Sequence, residues 1–206
     1  MGISSSKQPR DHQEEHPEGP VFTLRKHRPD EKPLRIMLRS YTTKKQKDLA
    51  IDFLDDIPKM KCHKLTAVLD YELYKNVNRY RNRTDRELIL ATDVHGPNSI
   101  AGFMFIKHRK KIMYIHLLEA CYEKRGIGSI LLKYCIDKAK ASGTKYIELV
   151  SLKNPATLRF YESKGFVRGP VGAPSRIKPT NWEMVNYSSS NNNEKKEKLP
   201  KLHLVL

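Results

Sequence analysis

Apolar and polar positions first fall into regular alternation at "LRIMLRS", where Leu34, Ile36 and Leu38 interleave with Arg35, Met37 and Arg39. A period of two predicts a half-buried strand. In "KKQKDLAIDFLDD" the apolar Leu49, Ile51, Phe53 and Leu54 predict a short helix that ends near Pro58. A longer helical region is predicted from about His63 to Tyr80, with Leu65, Val68, Leu69, Leu73 and Val77 on one side. It runs out in the basic stretch "NRYRNRTDR". The runs "ELILAT" and "SIAGFMFIKH" are β-rich and joined by "DVHGPN", a turn that predicts an antiparallel pair. A third run, "KIMYIHLLEA", follows the basic turn Arg109-Lys110-Lys111.

Beyond it the period changes. Ile127, Leu131, Cys135 and Ala139 recur every fourth residue, with Leu132 and Ile136 beside them and Lys133, Lys138 and Lys140 outside. That row predicts an amphipathic helix, stopped at Gly143. "KYIELVSL" reads as a strand and "NPATLRFYESKGF" as a short helix. Weaker strands fit Phe166–Val171 and Trp182–Val185, and the closing "LHLVL" carries no assignment. The order is strand, two helices, three strands, helix, strand, helix and two strands. It predicts a mixed α/β (α+β) domain rather than repeated βαβ units.

Composition divides the chain. Residues 1–33 hold six Lys/Arg and six Asp/Glu with almost no apolar period, and read as a disordered arm. Residues 188–206 read as a low-complexity polar and basic tail of charge +2. Of the net +16, the remaining +14 lies in the predicted domain, residues 34–187. Such a surplus suits an anionic partner: a phosphorylated cofactor, an acidic substrate, nucleic acid or a membrane surface. The bland alternative is a solubilising surface.

Three cysteines, Cys62, Cys121 and Cys135, form no CxxC pair, so neither a disulfide framework nor a metal site is expected. No apolar run of 18 residues occurs, and the first residues lack a secretory core, so the expected setting is cytoplasmic or nuclear. Gly2 with Ser6 fits the acceptor pattern for N-myristoylation. One such chain gives weak, reversible membrane-surface association that needs a second attraction.

The segment "CYEKRGIGSILLKYC" places Gly126 and Gly128 between an apolar run and a predicted helix. Free amides and the dipole at a helix start bind phosphate, and glycine lets an anion close to the backbone. A Rossmann fingerprint would need a third glycine where Leu131 stands, and the Gly-Lys-Ser/Thr of a P-loop is missing. A plain structural turn would explain the glycines alone.

They do not stand alone. "EKRGIGSILL" resembles the diphosphate-binding segment of the GNAT superfamily of N-acetyltransferases, and "NPATLRFYESKGF" resembles its second signature about 26 residues on. The resemblance covers about three-quarters of the chain, residues 34–185. It implies the GNAT acyl-CoA N-acyltransferase fold, a mostly antiparallel sheet with a splayed parallel strand pair and flanking helices. It further implies that acetyl-CoA, as cosubstrate and with no metal, lies in that wedge. Backbone near Leu118 and Ala120 would meet the pantetheine arm. Amides of Arg125, Gly126, Ile127, Gly128 and Ser129 would hold the diphosphate, helped by the charges of Lys124 and Arg125. Glu123, where the family carries Gln or Arg, is a departure that sets a carboxylate beside that diphosphate.

By the same resemblance Tyr161 is the acid for the departing thiolate, and Asn154 contacts the cofactor arm. Asn154 before Pro155 is also a ready helix cap. Glu119 is the best-placed base, with His116 and Glu148 behind it. A lysine amine is about 0.04% neutral at pH 7 and an α-amine about 14%, so a lysine acceptor needs a dedicated base and an N-terminus needs little help. The expected activity is acetyl transfer to a primary amine: a protein N-terminus, a lysine or a small molecule. The alternatives are an idle CoA-binding module of the same fold and, without any recognised module for it, a nucleic-acid binder built on the basic stretch.

Overall fold

Of the seven junctions between the eight described strands, six are antiparallel and one is parallel. The computed structural model describes residues 17–24, 26, 30, 33–55, 80–95, 100–122, 124–151, 154–169 and 200–206. In chain order these hold β1 (Val21–Thr23), β2 (Arg35–Tyr41), α1 (Lys44–Asp55), β3 (Arg86–Asp93), β4 (Ile100–His108) and β5 (Ile112–Ala120). Then come α2 (Ile127–Ala141), β6 (Tyr146–Val150), α3 (Pro155–Glu162), β7 (Val167–Arg168) and β8 (Lys201–Val205). The strands form one sheet in the order β1-β2-β3-β4-β5-β6-β8-β7. The parallel junction is β5 against β6, bridged by α2.

The predicted row on α2 is the buried one: Ile127, Leu131, Cys135 and Ala139, with Leu132 beside them, rest on one face of the sheet with Ile89, Met104, Ile106, Met113 and Ile147. The other face carries Tyr41, Leu88, Leu90, Phe103 and Phe105, with Ala50 of α1 and Tyr80. Because β3 and β4 are covered on both faces, their sequences are nearly continuous apolar runs.

Charged groups are buried inside this packing too, Glu87 among them. Glu87, 1% exposed on β3, lies 2.5 Å from Ser40 Oγ, 2.8 Å from His108 Nε2 and 2.5 Å from Lys138 Nζ. Burial alone would raise its pKa, but these three partners outweigh it and hold the carboxyl below its ordinary value. The cluster ties the last turn of α2 to β2, β3 and β4.

The expected domain bounds are too narrow. Val21–Thr23, inside the predicted disordered arm, pairs with β2. Lys201–Val205, inside the predicted tail, runs between β6 and β7 and pairs with both. "LHLVL" is too short to announce itself; tertiary pairing decides it. The expected helix over 63–80, apart from Tyr80, and the expected strand at 182–185 lie outside the described residues. Leu202 is 1% exposed. Leu202→Ala is therefore expected to cost roughly 2–3 kcal/mol of stability, read as a lower urea midpoint. An unchanged midpoint would mean that β8 is not part of the core.

Candidate active site

Pairing between β5 and β6 stops where β5 bulges. The parallel register runs from Ile112↔Tyr146 to Ile115↔Leu149 and goes no further, although β5 continues to Ala120. On its other edge, Ile106 of β4 faces Ile115 while the preceding Phe105 faces Leu117, so His116 is an extra residue. A bulge bends and twists its strand, which carries Leu117–Ala120 away from β6 and opens a wedge. Cys121 donates its N–H to Ala101 C=O on β4. Backbone groups alternate along a strand, so those of Leu118 and Ala120 face the open wedge.

The bulge also changes which side chains share a face. Tyr114 lies opposite Lys107, and Glu119 lies opposite Phe103, both on the Tyr80 face. In an unbroken strand, even-numbered Tyr114 and odd-numbered Glu119 would point apart. The inserted residue reverses the parity and sets Tyr114, His116 and Glu119 on one side.

Above the wedge stands the start of α2. Its N-cap, Gly126, adopts φ +84°, left-handed backbone that costs an L side chain about 1–2 kcal/mol. No side chain caps this end, and a methyl at Gly126 would meet nothing within 4 Å. The first intrahelical bond is Ile130 N–H to Gly126 C=O. Amides of Ile127, Gly128 and Ser129 therefore precede the ladder and carry the positive end of the dipole. Lys124 also has positive φ, +58°, a strained conformation for a lysine. A methyl at Gly128 would make ordinary 3.5 Å contacts with Leu118 and Phe160, so packing does not demand glycine there. Glu123 lies outside the described residues, as does Gly2.

Sequence reasoning passed over Gly102. A Cβ there would lie 2.6 Å from Glu119 O and 2.8 Å from Ile127 Cγ2. Only a residue without a side chain lets α2 descend onto β4 and β5 at this point. No local signal distinguishes it from a glycine in any strand.

Glu119 is half-buried and has no ion-pair partner among the described residues; burial alone lifts its carboxyl to about 7. Tyr161 is buried on α3, edge-on to Phe160 at 5.0 Å and to Phe166 at 5.5 Å. Burial first, then the nearby Glu119 charge and Cys135, push its phenol above the ordinary value. The hydroxyl therefore keeps its proton at any working pH. His116 goes the other way: burial, then the charges of Arg86, Lys107 and Arg109, lower it to about 3. An imidazole so weakly basic takes no proton from an amine. Glu148 is buried on β6 between Tyr114 and His203 in the register, back from the wedge mouth.

Asn154 caps α3: its Oδ1 accepts the Ala156 N–H at 2.8 Å, with Pro155 next in the first turn. Cys121, just past the end of β5, is disulfide-bonded, against the expectation of no disulfide framework. Sequence spacing carries no information on which thiols meet across a fold. Cys135 is free and buried, its Sγ 3.3 Å from Met113 Sδ. Among the described residues no group of His, Cys, Asp or Glu is placed to hold a metal ion.

The model described as the acetyltransferase (GNAT) family matches residues 56–166. No curated protein matches the chain. Among solved structures, PaiA N-acetyltransferase from Thermoplasma acidophilum in complex with coenzyme A is similar over 83% of this chain and 99% of that one, at 13% identity and a TM-score of 0.52. A GNAT-family acetyltransferase from Staphylococcus aureus Mu50 is similar over 82% and 97%, at 18% identity and a TM-score of 0.52. Another, from Streptococcus pneumoniae, is similar over 83% and 99%, at 19% identity and a TM-score of 0.50. At these identities the likeness is one of fold.

Proposed function

The chain belongs to the GNAT acetyltransferase family, and from that premise we propose that it transfers the acetyl group of acetyl-CoA directly to a primary amine held on the Tyr80 face of the wedge. The observation that carries this reading is Glu119, a carboxyl in the opened part of β5 whose surroundings lift it to about 7. A base is most effective when its pKa lies near the working pH.

The residues present suit acetyl-CoA as cosubstrate. Free amides of Ile127, Gly128 and Ser129, the open space at Gly126, and the cations Lys124 and Arg125 suit a diphosphate. Outward backbone groups of Leu118 and Ala120 suit the amides of the pantetheine arm. The thioester supplies the activated acetyl group. Glu119 takes the proton that the amine sheds as its nitrogen bonds to the acetyl carbon. Tyr161 donates to the sulfur as the C–S bond breaks, leaving a thiol rather than a bare thiolate. With a base near 7 in place, a lysine acceptor is within reach alongside an α-amine.

Incubating the protein with acetyl-CoA and a panel of peptide N-termini, lysine peptides and small amines is expected to release free thiol. Binding of CoA with no release from any amine would leave an idle module instead. Gly126→Val is expected to raise the Kd for CoA about tenfold or more by calorimetry, since it adds left-handed strain and fills the open space. An unchanged Kd would remove the diphosphate from this turn.

A further inference from the structure

On the Tyr80 face, beyond Glu119, lies a positively charged aromatic box that the chemistry above does not use. Arg86 sits over the Tyr80 ring at 4.6 Å. Tyr80 meets the His116 ring edge-on at 5.7 Å, and Tyr114 meets it at 4.6 Å. Arg86 Nε and His116 Nε2 are both buried without a well-formed hydrogen bond, the guanidinium leaning on the Tyr80 side chain, a costly state for two polar atoms in one place. Arg83, Lys107 and Arg109 stand near, and Asp85 is the acidic group among them, already shared between Arg83 and Lys107. Asp85 thus leaves a local excess of positive charge.

Resting on the reading of Glu119 as the base, we propose that this box reads an acidic side chain of a peptide acceptor, so that the substrate is an acidic peptide segment rather than a small amine. Spacing sets where that side chain falls. Lys107 and Phe103, which face Tyr114 and Glu119 across the sheet, are four residues apart on β4, about 13 Å at 3.3 Å per residue. An extended peptide whose amine lies at Glu119 therefore brings the side chain about four residues further on to Arg86. A carboxylate there would pair with the guanidinium and accept from His116, satisfying both buried atoms. Free amino acids and small amines are too short to reach.

Two seven-residue peptides test this, identical except for Glu or Gln four residues beyond the N-terminal amine, at moderate salt. The Glu peptide is expected to show at least tenfold higher kcat/KM. Arg86→Gln should collapse the ratio towards one, whereas Arg86→Lys, which keeps the charge but not the fork, should leave it intermediate. Equal kcat/KM for the two peptides in the wild type would overturn the proposal. So would a ratio untouched in a folded Arg86→Gln. Calorimetry of both peptides with CoA-loaded protein reads the box without turnover. Tighter binding of the Glu peptide with no acetylation would sink the enzymatic reading and keep the box, and equal binding would sink the box alone. The His116 ring gives a further readout by NMR: the Glu peptide should raise its titration midpoint and the Gln peptide should not.

Discussion

Glu119→Gln is expected to lower kcat/KM by about 10²- to 10⁴-fold, the range for a lost general base. The fall should be steeper for a lysine peptide than for an α-amine, because so little lysine is neutral at pH 7. In the wild type, kcat/KM should rise with pH through about 7, and the variant should lose that inflection. Stability should move in the opposite direction. The folded state holds the Glu119 proton up to about 7 against an ordinary 4.5, so folding takes up a proton between those values. The contribution is fully present below about 4.5 and lost as pH rises through about 7. The neutral glutamine escapes that loss, so the variant should melt higher than the wild type at pH 8, and the gap should close in acid. A variant that lost activity and melted lower at pH 8 would indicate a structural role for Glu119.

Tyr161→Phe carries the second large effect. Phenylalanine keeps the edge contacts to Phe160 and Phe166, so the core should hold. What disappears is the donor to the sulfur, and kcat should fall about 100-fold with CoA affinity unchanged. Because the phenol is pushed above its ordinary value, no inflection from it is expected between about pH 6 and 9. A fall of less than threefold would relegate the residue to packing. The thiol-release assay and calorimetry together read both quantities.

Much of this site was legible in the letters. Gly126 lies in a strand-to-helix context, and Asn154-Pro155 opens a helix as expected. The apolar row on α2 is the buried one, because a helix must hide one face and that requirement is written at a fixed period. What could not be read had a common cause. Glu119 was one of three carboxylate or imidazole candidates on strands, and a strand residue's charge state depends on what covers it. Burial raises Glu119, whereas burial and neighbouring cations from β3, β4 and the turn after β4 depress His116. Arg86 and Lys107 lie far from His116 in sequence but beside it across the sheet.

The sequence by itself determined the described elements from β2 to α3 and the helix start that suits an anion, because these follow from local periodicity and backbone preference. Tertiary structure decided three further things. A single inserted residue, His116, reversed the parity of β5 and brought Glu119 onto the same face as Tyr114. Gly102 let α2 settle where its first amides look into the wedge. The last strand, Lys201–Val205, found its place between β6 and β7 from more than 30 residues beyond β7. Each of these is a meeting of segments distant along the chain, and no local pattern of apolar and polar residues encodes such a meeting.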